Sequence, residues 1–150
     1  MKTAEDILIE KDRPIISVNP DATVFEALKV MVDNGIGSVL VKEGEDYVGI
    51  YNEREFVHNT VHEKIDPNNE PVRNVMVADM ICAPHDETVH QLQDILLGKC
   101  LRHVIITKND QVIGIISAGD VTRADLVEHE AQLKSVSWEY YENWRWKKKR

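Results

Sequence analysis

The stretch Gly114-Ile115-Ile116-Ser117-Ala118-Gly119-Asp120 has a counterpart 65 residues earlier, Gly49-Ile50-Tyr51-Asn52-Glu53-Arg54-Glu55. In both, glycine lies within an apolar run that reads as a strand, and Ser or Asn follows at a helix start. An acidic residue comes three positions later. The same offset pairs Ile16 with Ile81, Asp21 with Asp86, Thr23 with Thr88, Val24 with Val89 and Val39 with Val104. Apolar character matches at Val30/Ile95, Met31/Leu96, Ile36/Leu101, Leu40/Ile105, Val41/Ile106 and Val48/Ile113. This gap-free agreement covers 43 positions, Ile16–His58, and makes the chain a tandem repeat.

Working outward, each repeat predicts the same elements. A short extended segment (Ile15–Val18; Met80–Ala83) leads into a proline-containing turn. A helix follows over Val24–Asn34 or Val89–Gly98, announced by Asp21/Thr23 or Asp86/Thr88. Val24, Leu28, Met31 and Val32 fall at helical spacing, and Gly35 is placed to stop the first of these helices. Two strands joined by a polar turn come next (Ser38–Val41 and Tyr47–Tyr51; His103–Thr107 and Gln111–Ile116), and a second helix begins after Asn52 or Ser117. The unit is β-α-β-β-α. A polar linker, Lys64–Pro71, separates the repeats, Ala4–Glu10 reads as a short helix, and the last helix is expected to run past Glu128.

Composition sets outer limits. At 150 residues, 43% hydrophobic and 29% charged, the chain is globular and large enough for a core without disulfide staples. No apolar run has membrane-spanning length, and the opening Met1–Asp6 reaches acidic residues at once, unlike a signal peptide. Two cysteines, Cys82 and Cys100, make no disulfide framework, so a cytoplasmic location is expected. The net charge of −8 divides unevenly: Ser137–Arg150 holds five basic and two acidic residues, leaving Met1–Val136 at −11. Such a body repels a nucleic-acid backbone, which argues against general nucleic-acid binding.

The paired units with Gly114–Asp120 and Gly49–Glu55 resemble a tandem pair of CBS domains, the cystathionine-β-synthase-type repeats that form a Bateman module. The resemblance covers about Ala4–Glu130 and is closest to small stand-alone pairs. It implies an α/β (by some schemes α+β) fold of two repeats related by a pseudo-two-fold, with an N-terminal helix and a long C-terminal helix. Residues 1–150 would form one module, with repeats at 8–65 and 74–131 and a tail at 132–150. It further implies a non-catalytic regulator that binds an adenosine nucleotide (AMP, ADP or ATP; S-adenosylmethionine or NAD as further adenosine ligands) in the cleft between repeats. A homodimer reporting to an unseen partner protein would complete the picture.

The resemblance carries over to particular residues. Asp120 would hold ribose hydroxyls, with Ser117, Arg102 and His103 facing ribose and phosphate; Ile81, Cys82, Ala83, Ile115 and Ile116 would wall the adenine. A carboxylate suits vicinal hydroxyls because it accepts two hydrogen bonds, and a side chain at Gly114 would obstruct a flat ring approaching the backbone. Ser-x-x-Asp and Asn-x-x-Glu are equally ordinary helix-capping boxes, and the apolar residues equally ordinary core. Repeat one has Asn52, Arg54 and Glu55 at the motif and Gly37-Ser38 in place of Arg102-His103, so its pocket is the secondary one.

Other constellations read as structure. His58 and His62 stand four apart without a third metal ligand, and His85, His90 and His129 read as surface residues. No nucleophile triad, phosphate loop or dinucleotide fingerprint occurs, so no catalytic residue and no metal site is assigned. The tail contains Trp138, Trp144 and Trp146, interleaved with basic residues, and is expected to pack on the body or across a dimer contact. The rival to a ligand sensor is a ligand-free assembly module.

Overall fold

A computed structural model describes residues 1–129 of the chain. Among the described residues two compact units form: Ile15–Met80, and Met1–Pro14 together with 81–129. The tail anticipated at 132–150, with its three tryptophans, lies outside the described residues.

The unit Ile15–Met80 contains β1 (Ser17–Val18), α2 (Val24–Asn34), β2 (Ser38–Glu43), β3 (Asp46–Asn52) and α3 (Glu53–His58); α1 (Ala4–Lys11) precedes it in the chain. α2 begins where the hydroxyl of Thr23 accepts the Glu26 N–H while the Glu26 carboxylate accepts the Thr23 N–H, a complete capping box. Val24, Ala27 and Met31 turn inward from it, and Gly35 ends it at φ 63°, a left-handed value glycine adopts without a Cβ penalty. β1 runs parallel to β2, and β3 antiparallel to it, in the order β1-β2-β3. As the middle strand, β2 buries Ser38, Val39, Leu40 and Val41. The linker is tied down by hydrogen bonds from the Val24 and Phe25 N–H groups to the carbonyls of Glu70 and Pro67.

The other unit repeats this plan with β4 (Cys82–Pro84), α4 (Val89–Gly98), β5 (His103–Lys108), β6 (Gln111–Ser117) and α5 (Ala118–Glu128). Thr88 and Gln91 form the capping box of α4, and Val89, Leu92 and Leu96 line its buried side. The sheet order is β4-β5-β6, with β4 and β5 parallel and β5 and β6 antiparallel. The leading strands are displaced from expectation, at Ser17–Val18 and Cys82–Pro84, although the Ile16 and Ile81 carbonyls still accept from Leu40 and Ile105. α5 is described to Glu128, capped by His129; continuation beyond that lies outside the described residues.

The segments that lead into the repeats pack away from their chain neighbours: Met1–Pro14 lies with the sheet β4-β5-β6, and Val72–Val77 with the sheet β1-β2-β3. Thr3 bridges to Thr88, and the N–H groups of Ala4 and Glu5 donate to the carbonyls of Glu87 and His85. Ala4 and Ile7 sit in one core with Leu92, Val104, Ile106, Ile116 and Val121. Conversely, Val72 and Val75 join the core of Val24, Met31, Val39 and Tyr51, and Val77 pairs with Ile50 at the outer edge of β3. Burial decides the arrangement, because each amphipathic segment covers apolar surface beside an open sheet edge.

Candidate functional site

The second repeat assembles its site where β6 passes into α5. Ser117 is the N-cap: its hydroxyl accepts the Asp120 N–H at 3.1 Å, and its own N–H donates to Asp120 Oδ2 at 2.8 Å. The motif is therefore a capping box in fact. Antiparallel register sets His103 opposite Ser117, and the Arg102 carbonyl accepts from the Ala118 N–H, so the start of β5 and the start of α5 lie together. The Arg102 side chain is exposed. β4 contributes Cys82, in register with Ile105, which in turn faces Ile115.

A residue not anticipated from the sequence enters here. Lys11, in the last turn of α1, donates from Nζ to Asp120 Oδ2 at 2.8 Å and to the Ile115 carbonyl at 3.1 Å. Both side chains are 24% exposed. The left-handed Asp12 (φ 44°) ends α1 directly after it. Burial alone would raise the Asp120 pKa, but the Lys11 cation and hydrogen bonds from Lys11 and Ser117 outweigh it and leave the carboxyl below its ordinary value.

The sign of the resulting pH dependence is fixed. A depressed folded-state pKa contributes stability that is present above the unfolded value and lost as pH falls through the folded one. We expect Asp120→Asn to lower stability at neutral pH and to flatten its decline below about pH 4. Urea melts at a series of pH values check this; parallel curves for the two proteins would contradict it.

The expected wall residues differ in burial. Ala83 and Ile116 are core residues, 2% and 0% exposed, so their side chains pack inward. Ile81 also packs against that core, whereas Cys82 is exposed and Ile115 half-buried. The space beside Gly114 is taken by protein, not left for a ring: a Cβ there would lie 2.6 Å from Leu8 Cδ2. Gly49 stands likewise against Met76, with a Cβ 2.5 Å from its sulfur. Glycine is needed at both places for close approach of the crossed leading segment.

In the first repeat, Asn52 accepts the Glu55 N–H at 3.0 Å, which is half of the reciprocal arrangement seen at Ser117. Asn52 is buried, Arg54 exposed and Glu55 half-buried. Tyr51, at the position of Ile116, is fully buried and donates to Asn59 Oδ1 at 3.1 Å; Asn59 Nδ2 donates to Glu63. Burial, then the charges of Glu55 and Glu63, push the Tyr51 phenol up. Asn59–Glu63 is a π-helical turn carrying His62, whose ring lies 4.7 Å from that of His58. Among the described residues no group of three or more His, Cys, Asp or Glu is arranged to hold a metal ion. Cys82 and Cys100 form no disulfide, and no helix of the described residues is long and apolar enough to cross a membrane.

Two β-α-β-β-α units, each ending a strand in a capped acidic motif, define a class of paired repeats, and comparison supplies its name. The CBS domain family model matches residues 4–61 and again 72–127. The chain belongs to the CBS-domain family, as a tandem pair. It is 35% identical over 118 residues to a 17.7 kDa protein of Acidianus ambivalens, covering 77% of this chain and 70% of that one. A mitochondrial CBS domain-containing protein of Arabidopsis thaliana is 28% identical over 78% of this chain, which spans 59% of the relative's length. Among solved structures, a CBS-domain protein of Agrobacterium tumefaciens superposes with a TM-score of 0.78 at 31% identity, covering 82% of this chain and 92% of that one. The fold also matches a CBS domain protein of Pyrobaculum aerophilum complexed with AMP, with a TM-score of 0.72 at 22% identity over 87% and 99% of the two chains.

Proposed function

We propose that this chain is a non-catalytic regulatory module that binds an adenosine nucleotide at the second repeat and passes its occupancy to a partner protein. The observation that carries the reading is the Asp120 carboxylate, held at the end of β6 by the Ser117 N–H, with the backbone of Arg102 bonded to the adjoining start of α5. A carboxylate accepts the paired hydroxyls of a ribose, and a nearby guanidinium suits phosphate. The AMP complex of the Pyrobaculum protein supports the ligand class at the level of the fold. AMP, ADP and ATP share that chemistry, as do S-adenosylmethionine and NAD in their adenosine part.

The ligand-free assembly module remains the rival, favoured by the complete capping box that already employs Ser117 and Asp120. A thermal-shift panel of AMP, ADP, ATP, S-adenosylmethionine and NAD, with and without Mg²⁺, separates the two. A ligand at one hundred times its dissociation constant should raise the melting temperature by about 5–10 °C. No shift with any of them would overturn the sensor in favour of the assembly module. The same proposal takes the working form to be a cytoplasmic homodimer, with helices exposing Phe25, Val32 and Leu97 available for contact.

A further inference from the structure

Resting on the adenosine reading above, we infer that Lys11 is a displaceable counter-ion on Asp120, and that it makes the site favour anionic adenosine ligands over uncharged ones. Asp120 Oδ2 accepts two hydrogen bonds, from the Ser117 N–H and from Lys11 Nζ, each 2.8 Å long. A ribose held by both oxygens of this carboxylate needs an acceptor position on Oδ2, whose two lone pairs the two donors already occupy. One donor must leave. The Ser117 N–H belongs to the capping box of α5 and is fixed by the backbone. Lys11 ends a rotatable four-carbon stem and, besides Asp120, donates to the Ile115 carbonyl at 3.1 Å.

Displacement has different consequences for different ligands. An uncharged nucleoside takes the carboxylate and leaves a three-quarters-buried ammonium without its anion, which opposes binding. A phosphorylated nucleoside brings a new anion within the swing of the same stem, so the cation exchanges one partner for another. Among the described residues the first repeat has no equivalent of Lys11: the position 65 residues after it is Met76, which lies over Gly49. Its nearby cation Arg73 is engaged with Asp21 and Glu43. The inference therefore concerns the Asp120 site.

Calorimetric titration of AMP and of adenosine into the wild-type protein, Lys11→Met and Lys11→Arg tests this. Methionine keeps the length of the stem without its charge, and arginine keeps the charge. The wild type should prefer AMP by about tenfold or more, Lys11→Met by about threefold or less, and Lys11→Arg should retain most of the wild-type ratio. Equal changes in the two affinities on Lys11→Met would overturn the inference while leaving the adenosine reading intact. Binding of neither ligand to any of the three proteins would bring down the adenosine reading and the selection with it. Titration of the Asp120 carboxyl by NMR adds a ligand-independent check: its pKa should rise in Lys11→Met, and an unchanged value would mean that the pair does not form in solution, which also overturns the inference.

Discussion

Removing Met1–Pro14 is expected to destabilise the second repeat far more than the first, although those residues adjoin the first repeat in the chain. Ala4 and Ile7 are 0% and 4% exposed, both within the core of the second repeat. Truncating one buried isoleucine to alanine costs about 2–5 kcal/mol. Deletion also takes away Ala4, Leu8 over Gly114, the backbone bonds to Glu87 and His85, and the Lys11–Asp120 pair. The sum is comparable with the whole stability of a small domain, about 5–15 kcal/mol. Amide hydrogen exchange resolved along the chain reads the result directly. Protection should collapse in β5 and β6 while β2 and β3 keep most of theirs. Equal losses in both sheets, or none, would contradict the crossed packing.

The second large effect concerns ligand affinity. Asp120→Asn preserves an acceptor for the Ser117 N–H and much of the capping geometry, but removes the negative charge. Hydrogen bonds to a charged group contribute about 1.5–3 kcal/mol, so AMP affinity should fall by about tenfold or more. Glu55→Gln, in a motif where the return half of the capping box does not form, should change affinity by no more than about threefold. Isothermal titration at one pH and salt concentration measures both. Unchanged affinity in Asp120→Asn would remove this carboxylate from the site, and the opposite ranking of the two variants would move the principal site to the first repeat.

The local architecture was legible in the residues. Val24–Asn34 and Val89–Gly98 have the helix bounds expected of them, because Thr23/Glu26 and Thr88/Gln91 form real capping boxes and Gly35 a real stop. Ser117 and Asp120 were legible as a linked pair for the same reason: short-range hydrogen bonding leaves its mark at fixed spacing. Apolar residues were less informative. Ile115 and Ile116 differ by one position in a strand, and that single step sends one to the half-buried side and the other to the core. Lys11 was illegible. Its partner stands 109 residues away, and nothing in the pattern of α1 says which of two similar sheets its apolar side will cover. The Tyr51–Asn59–Glu63 chain was hidden too, since it depends on the π-helical turn that brings Asn59 beneath the strand.

The crossed leading segment also bears on how the molecule is born. Synthesis proceeds from the amino end at about 5–20 residues per second, and Asp120 follows Lys11 by 109 positions, a delay of roughly 5–20 s. The first repeat is one uninterrupted run, Ile15–Met80, and can close as it leaves the ribosome. α1 emerges before it, with Ala4 and Ile7 facing water, and has no receptor until β6 and the start of α5 have been made. The nascent chain therefore passes through an interval in which α1 waits for the sheet that will cover its apolar residues, a delay the contiguous first repeat does not share.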